Sequence, residues 1–441
     1  MKSLRLIPGI TILLLIVVTC AAAQTPLWTH PSPHQSTTDQ VVDLALSKTG
    51  ATVALGGNSF SILNRTGAEF GSFLHANSVG MSTDGSRIVA AMDDGLHVFF
   101  PNGTQRWSAG TESVTQVALS GDSGTVVTGD KQGTLQVYDG TGKRVGNTAV
   151  IKKESTAVLH LATTKNGSVI AATDSHGLYL YTRAGKLRWK AEFENPTALA
   201  IAANGTLVMV GGSHSVALYN ATNASVEKVG EYNTGGKVDS LATSTDGTRT
   251  VVGTEDKKVT LLDETGTAVW SYPTGDWASP VALSDDASVI AAGSMDKKVQ
   301  VFFPNGTLRW GYDLPAWPTA LAVSGDGQYL GVGCEDGTSY LFSTAITPNR
   351  TVTVKNTTTP LKNGTTTNRT PTVNASTPVK NGTPANRTAA FNVTTSAQNE
   401  TRNNTSAVLT AVPIPKKTPM PPLPAVLAAL GFIVLVFRRR H

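Results

Sequence analysis

The chain has 441 residues, a formal net charge of +5, 40% hydrophobic residues and 2 cysteines. The positive charge is confined to the two ends and to residues 343–437; residues 24–342 hold 22 basic and 30 acidic residues, so the part able to fold is acidic. That excludes a nucleic-acid surface, which needs clustered Lys and Arg on the folded domain, and apolar segments at both ends exclude a simple cytosolic protein.

Residues 1–23 read as a secretory signal peptide. Lys2 and Arg5 make the positive start, Ile10–Val18 the apolar stretch, and Ala21, Ala22 and Ala23 the small-residue cleavage site. The apolar stretch is shorter than the ~20 residues of a membrane span. Thr19 has the wrong size for a lipoprotein motif ending at Cys20, so Cys20 leaves with the signal and Cys334 is the one cysteine of the mature chain. No intramolecular disulfide is then possible, and Cys334 is expected to be a small buried apolar residue on a strand.

Residues 24–342 repeat with a period near 40. The anchor is Ser-x-Asp-Gly or a variant, followed by a β-branched strand and a Gly. It starts at Ser47, Ser82, Ser120, Thr164, Ala202, Ser244, Ser284 and Ser324, which makes eight units. The seventh shows the grammar. Pro280–Ser284 is an inner strand and Asp285–Ala287 a tight turn; Val289–Gly293 is a continuous apolar strand, buried on both faces. Met295–Lys298 turns the chain, Val299–Phe303 is a third strand, Pro304–Gly306 a hairpin turn and Thr307–Trp310 an outer strand.

Four short strands per unit, repeated radially, predict an all-β chain with a single β-propeller of eight four-stranded blades. A short first and an irregular fifth unit leave seven blades as the alternative. The eighth unit ends at Phe342 without an outer strand, and Pro26–Thr29 has that strand's signature. Trp28 is therefore predicted to pair into the last blade and close the ring, which removes exposed sheet edges.

Trp107, Trp189, Trp270 and Trp310 each close a unit four residues after a Gly. This pattern resembles the repeat of the PQQ-like (quinoprotein-type) propellers. WD-repeat proteins are similar in shape, although their Gly-His and Trp-Asp signatures are absent here. The resemblance implies that these tryptophans, with Trp28, dock on the neighbouring blade. Catalytic members of that family carry an adjacent cysteine pair at the cofactor, Glu and Asp ligands for Ca²⁺ and a stacking Trp. One mature cysteine cannot make that pair, so a PQQ-dependent dehydrogenase is the disfavoured alternative and no catalytic residue, cofactor or metal is assigned. No hydrolase, zinc-protease or phosphate-loop motif appears either.

One propeller face should carry the second-to-third strand turns and the connections from each outer strand to the next inner strand. On it lie Asp93, Asp94, Asp130, Asp174, Glu255, Asp256, Asp296, Glu335 and Asp336. A carboxylate ring suits a hard cation such as Ca²⁺, but Asp is also an ordinary turn residue, and Lys257, Lys258, Lys297 and Lys298 sit among these. Trp277 and Trp317 fall on the same face, in adjacent blades and outside the docking position. Exposed loop Trp is a frequent anchor for partners; it can equally plug the channel mouth. His176 and His214, in equivalent turns of adjacent blades, have no nearby Cys to complete a metal set. The expected partner face is thus Trp277 and Trp317 with Asp256, Asp296 and Asp336.

From residue 343 the composition shifts to Thr, Asn, Pro and Lys, too poor in apolar residues to fold. Residues 343–423 are expected to form a disordered stalk. Its eleven Asn-X-Ser/Thr acceptors begin at Asn349, Asn356, Asn363, Asn368, Asn374, Asn381, Asn386, Asn392, Asn399, Asn403 and Asn404, and mark it as N-glycosylated. Seven further triplets lie upstream, at Asn64, Asn102, Asn166, Asn204, Asn220, Asn223 and Asn305; several are in Asn-Gly turns, where turn geometry accounts for them equally well. Residues 424–437 form an apolar helix, short for the ~30 Å hydrocarbon core, and residues 438–441 a basic end expected to stay cytoplasmic. The short motif, helix and basic end resemble the C-terminal sorting signals of archaeal surface proteins; a plain single-pass anchor is the alternative.

Together these features point to a non-catalytic, monomeric propeller outside the cell. It would be anchored to the membrane by its C-terminus, with a protein or glycan partner and no nucleic acid. A scaffold subunit of a membrane-associated assembly is a further alternative.

Overall fold

A computed structural model describes residues 24–31, 40–111, 113–146, 149–150, 157–222 and 226–346. The signal peptide, the eleven stalk acceptors, the apolar helix and the basic end lie outside the described residues. Of the expected stalk only residues 343–346 are described, and there Ser343 ends the last blade's third strand and Thr344 N donates to Gln328 O of that blade.

The described residues are all-β and form eight four-stranded sheets. Their inner strands are Val41–Leu46, Ala76–Met81, Val114–Leu119, His160–Thr163, Ala198–Ile201, Val238–Thr243, Ala278–Leu283 and Pro318–Val323. Each packs beside the next and the last beside the first, around one axis. The chain is an eight-bladed β-propeller. Seven blades are made by consecutive strands; the eighth takes its outer strand, Trp28–His30, from the start of the chain. There Trp28 faces Leu341, Thr29 faces Tyr340 and His30 faces Ser339.

The anchor motif has a local physical cause. In the second blade the buried Ser82 hydroxyl donates to Asp84 Oδ1 (2.7 Å) and accepts the Arg87 amide (3.0 Å), while Asp84 Oδ1 accepts the Ser86 amide (2.9 Å). Ser284 with Asp286 and Ser324 with Asp326 repeat the arrangement. The Ser86 amide, acting against desolvation and helped by the Ser82 hydroxyl, holds the Asp84 carboxyl below its ordinary range. One Ser and one Asp thus satisfy a tight turn that would otherwise leave backbone donors bare.

The turns also join into a ring. Lys48 N donates to Thr83 O, Thr83 N to Gly121 O, Asp122 N to Lys165 O and Lys165 N to Ala203 O. The chain of bonds continues from Asn204 N to Thr245 O, Thr245 N to Asp285 O and Asp285 N to Gly325 O, and Asp326 N returns to Lys48 O. Every blade is therefore tied to the next by a main-chain hydrogen bond at this face.

The core lies between blades, because the middle strands are apolar on both sides. Each pair of neighbouring blades encloses one cluster, such as Val289, Ala291, Val299, Leu330, Val332 and Phe342 between the seventh and eighth. At the outer end of several clusters an aromatic residue of one blade meets the third strand of the next. Trp107 lies 5.8 Å from Tyr138, Trp189 5.1 Å from Tyr219, Trp270 5.5 Å from Phe302 and Trp310 5.5 Å from Phe342, centroid to centroid. The indole N–H of Trp270 donates to Pro304 O (2.9 Å) and that of Trp310 to Thr344 O (3.2 Å). That of Trp107 has no partner among the described residues. Between the first and second blades Phe73 and Phe99, 4.6 Å apart, do the same work.

Nearer the axis, polar side chains cross from blade to blade. Ser78 Oγ accepts the Val117 amide (3.4 Å) and Ser240 Oγ the Val281 amide (3.1 Å). The hydroxyls of Thr197 and Thr319 donate to Val238 O and Val41 O of their following blades. Ser240→Ala leaves the Val281 amide without this acceptor and is expected to cost about 1 kcal/mol, read as a lowered denaturation midpoint.

Candidate functional site

The two faces differ in construction. The first carries the Ser/Asp turns and the hairpins between third and outer strands. On the second, the second-to-third turns of the sixth, seventh and eighth blades are bonded to the connections that enter their blades' inner strands. Glu255 N donates to Lys237 O (2.9 Å), Met295 N to Trp277 O (3.0 Å) and Glu335 N to Trp317 O (2.9 Å). Lys237, Trp277 and Trp317 therefore occupy one equivalent position in three successive blades, each just before its inner strand. Their side chains are set by sequence, their placement by the fold.

Trp277 is 39% and Trp317 41% exposed, so neither indole is sealed as a plug among the described residues. Both loops are held from beneath. Asp276 accepts the Trp277 amide (3.0 Å) on Oδ1 and pairs with Lys257 Nζ (3.1 Å), while its carbonyl accepts the Thr274 hydroxyl (2.6 Å) and the Ser294 hydroxyl (3.1 Å). Lys257, followed by the Trp277 amide, holds the Asp276 carboxyl below the ordinary range. Trp317 lies between Pro315 and Pro318, with Lys297 Nζ donating to Pro315 O (3.2 Å) and the neighbouring Leu314 buried. Exposed rings on braced loops lose little freedom on binding, the property of a good anchor.

The carboxylates of this face are largely engaged locally. Asp256 pairs with Lys258 Nζ (2.8 Å) and accepts the Thr254 hydroxyl; against desolvation, these partners hold it below the ordinary range. Asp336 accepts the Thr338 amide (3.0 Å), and Asp130 the amides of Gln132 (2.9 Å) and Thr134 (2.7 Å). Asp93 lies 3.1 Å from His75, and Asp94 2.8 Å from His97. Asp174 turns inward, fully buried, and accepts the His176 and Gly177 amides. Asp296 has one buried oxygen without a partner among the described residues. No group of three or more His, Cys, Asp or Glu is arranged to hold a metal ion among the described residues. A continuous carboxylate ring is not what the fold builds, because turn amides and lysines divide it.

His176 and His214 do hold equivalent turns: their carbonyls accept the amides of Phe193 (2.9 Å) and Thr234 (2.8 Å). His214 lines an open cavity of about 300 Å³ with Phe193, Glu194, Asn195, Gly212, Ser213 and Ser215. In the inner wall His160 is pushed down to about 4 by desolvation. Cys334 is buried on its strand, and burial pushes its thiol up to about 12, which leaves no thiolate nucleophile at neutral pH.

The sequence profile of the family described as outer membrane protein assembly factor BamB matches residues 131–318, and that of the WD domain, G-beta repeat, matches residues 103–139. No curated protein matches. Among solved structures, the computationally designed Ika8 protein is 18% identical, with TM-score 0.58 over 69% of this chain and 96% of its own. Sqt1 from Chaetomium thermophilum is 14% identical, with TM-score 0.61 over 73% of this chain and 99% of its own. In the structure of Sqt1 bound to the N-terminus of the ribosomal protein L10, the TM-score is 0.60 at 14% identity, over 69% of this chain and 97% of that one. At such identities the likeness is one of fold. The repeats of this propeller are similar to PQQ-like and WD-like repeats over residues 103–318, and the fold itself hosts many functions.

Proposed function

We propose that this protein is a non-catalytic recognition module exposed outside the cell, with residues 24–342 as its head, a glycosylated stalk below it and a C-terminal membrane anchor. The carrying observation is the pair of half-exposed indoles, Trp277 and Trp317, at one equivalent position of adjacent blades on braced loops. Two flat aromatic faces, with Lys257, Asp276 and Lys297 around them, suit a partner that offers both apolar surface and hydrogen-bonding groups. A protein loop and a sugar ring share that chemistry. The single mature cysteine and the divided carboxylates support a binding role over a quinone-cofactor one.

Binding can be read from indole fluorescence of the purified protein titrated with oligosaccharides and with surface proteins from the host envelope. Trp277→Ala with Trp317→Ala is expected to weaken a detected interaction on the order of tenfold or more, with the melting temperature little changed because both rings lie outside the clusters between blades. Undiminished affinity in the double variant would sink the assignment of this face. Protease treatment of intact cells is expected to release the head; resistance until lysis would place the protein inside.

A further inference from the structure

The triplets at Asn64, Asn102, Asn166, Asn204, Asn220 and Asn305 are scattered over 242 positions of the chain, yet the fold gathers all of them on one face. Asn166 and Asn204 sit in the turns between inner and second strands. Asn64, Asn102, Asn220 and Asn305 sit in the hairpins between third and outer strands. In an antiparallel blade these two kinds of turn lie at the same end of the sheet. The opposite end, which carries Trp277 and Trp317, holds one Asn-X-Thr triplet, Asn195-Pro196-Thr197, whose middle proline bars it as an acceptor, and so it has no glycosylation acceptor in any turn or connection. The upstream triplet at Asn223 lies outside the described residues.

Each described asparagine does a turn residue's work with its oxygen. Asn166 Oδ1 accepts the Ser168 amide (3.0 Å), Asn102 Oδ1 the Thr104 amide (3.1 Å) and Asn305 Oδ1 the Thr307 amide (3.0 Å). Aspartate fills the same role at Asp286 and Asp263, so the turn needs only the oxygen. At Asn102, Asn166 and Asn305 the residue is exposed and Nδ2 makes no hydrogen bond among the described residues. By contrast, Asn204 Nδ2 donates to Asp246 O (3.2 Å), and Asn64 and Asn220 are half-buried. Both ends of the described propeller chain reach this face too. Gln24 Nε2 donates to Ser343 O (2.7 Å), and Thr344 N to Gln328 O (2.9 Å) in the last blade's Ser/Asp turn.

We infer that the head is N-glycosylated on this face alone, at Asn102, Asn166 and Asn305. The opposite face is left bare for its partner. This rests on the extracellular reading above. In the transfer, Nδ2 bonds to the anomeric carbon of a lipid-linked sugar phosphate and the carbon–phosphate-oxygen bond breaks. The lipid phosphate leaves with that electron pair, and one amide proton passes to a base. Oδ1 is untouched, so the turn bond survives modification. Bulky, hydrated glycans here would cover the face from which the chain leaves the propeller and would sterically direct partners to the tryptophan face.

The test is peptide mapping by mass spectrometry of the full-length protein isolated from its own host membranes. At least two of the three head sites are expected to be occupied, together with stalk sites. Occupied stalk peptides with none or one of the three head sites modified overturn the one-sided coat while leaving the surface role standing. Unmodified peptides in both regions overturn the coat and the extracellular reading together. Asn166→Asp with Asn305→Asp keeps both turn oxygens. It is expected to remove two glycan masses and leave the melting temperature unchanged; no loss of mass overturns the assignment of those two sites.

Discussion

Trp28→Ala is expected to destabilise the propeller by about 3 kcal/mol, seen as a lower chemical denaturation midpoint. The strand it belongs to, Trp28–His30, pairs into the last blade, and its indole reaches across to the first. The indole N–H donates to Arg65 O (3.1 Å), and a Cβ on Gly67 would lie 2.9 Å from the indole Cγ. Gly67 has φ +82°, so the hairpin needs glycine there for its backbone as well as for the approach of the ring. Trp270 on Gly306 repeats the contact, with a Cβ 2.8 Å from Cγ and φ again +82°. Alanine at 28 would weaken the one joint of the ring held by strand pairing alone, that of Trp28–His30 with Ser339–Ser343 inside the eighth blade. Leu27→Ala is the matched control: Leu27, just before the same strand, is 52% exposed, and a change within ~0.5 kcal/mol is expected. An unchanged midpoint for Trp28→Ala would show that the ring of turn bonds closes the propeller without it.

Asp43→Ala should be comparably damaging, at about 3 kcal/mol. The carboxylate sits where Ser78 and Ser240 sit in other blades, and reaches from the first blade to the second. Oδ2 accepts the Ser78 hydroxyl (3.1 Å) and the Val79 amide (2.8 Å), and Oδ1 accepts the Leu44 amide (2.8 Å). Removing it strands three donors, whereas Asp43→Ser restores the acceptor used in the sister blades and is expected to recover most of the loss. Desolvation raises the Asp43 carboxyl above its ordinary range and outweighs the hydrogen bonds from Val79, Leu44 and Ser78 that lower it. The folded state therefore holds this proton more tightly than the unfolded chain. Its contribution is largest below the ordinary carboxylate value of about 3.9 and is lost as pH rises through the folded-state value. Measured across that range, wild type should lose stability relative to Asp43→Ser as pH rises. A constant difference would mean that Asp43 titrates alike in folded and unfolded chains.

Much of the fold is local in origin and is readable without coordinates. The Ser-x-Asp-Gly turns, the doubly apolar second strands and the Gly-to-Trp spacing each report a hydrogen bond or a buried surface within about 40 residues. Blade number and the strand at Trp28 follow from counting such units and finding one incomplete. At one seam Gly71 stands at the tryptophan position, opposite Ile62, and Phe73 two residues on fills the space against Phe60 and Phe99, so no Gly-to-Trp spacing marks it.

By itself the sequence determined the repeat, its four strands and the chemistry of each turn, because those depend on neighbours along the chain. Only the tertiary structure decided what shares a face. Blade-to-blade bonds such as Asp326 to Lys48, and the equivalence of Lys237, Trp277 and Trp317, join residues from different units. The separation of the asparagine turns from the tryptophan loops has the same origin: antiparallel strands send alternate turns to opposite ends of a sheet, and closure about an axis collects each set into one surface.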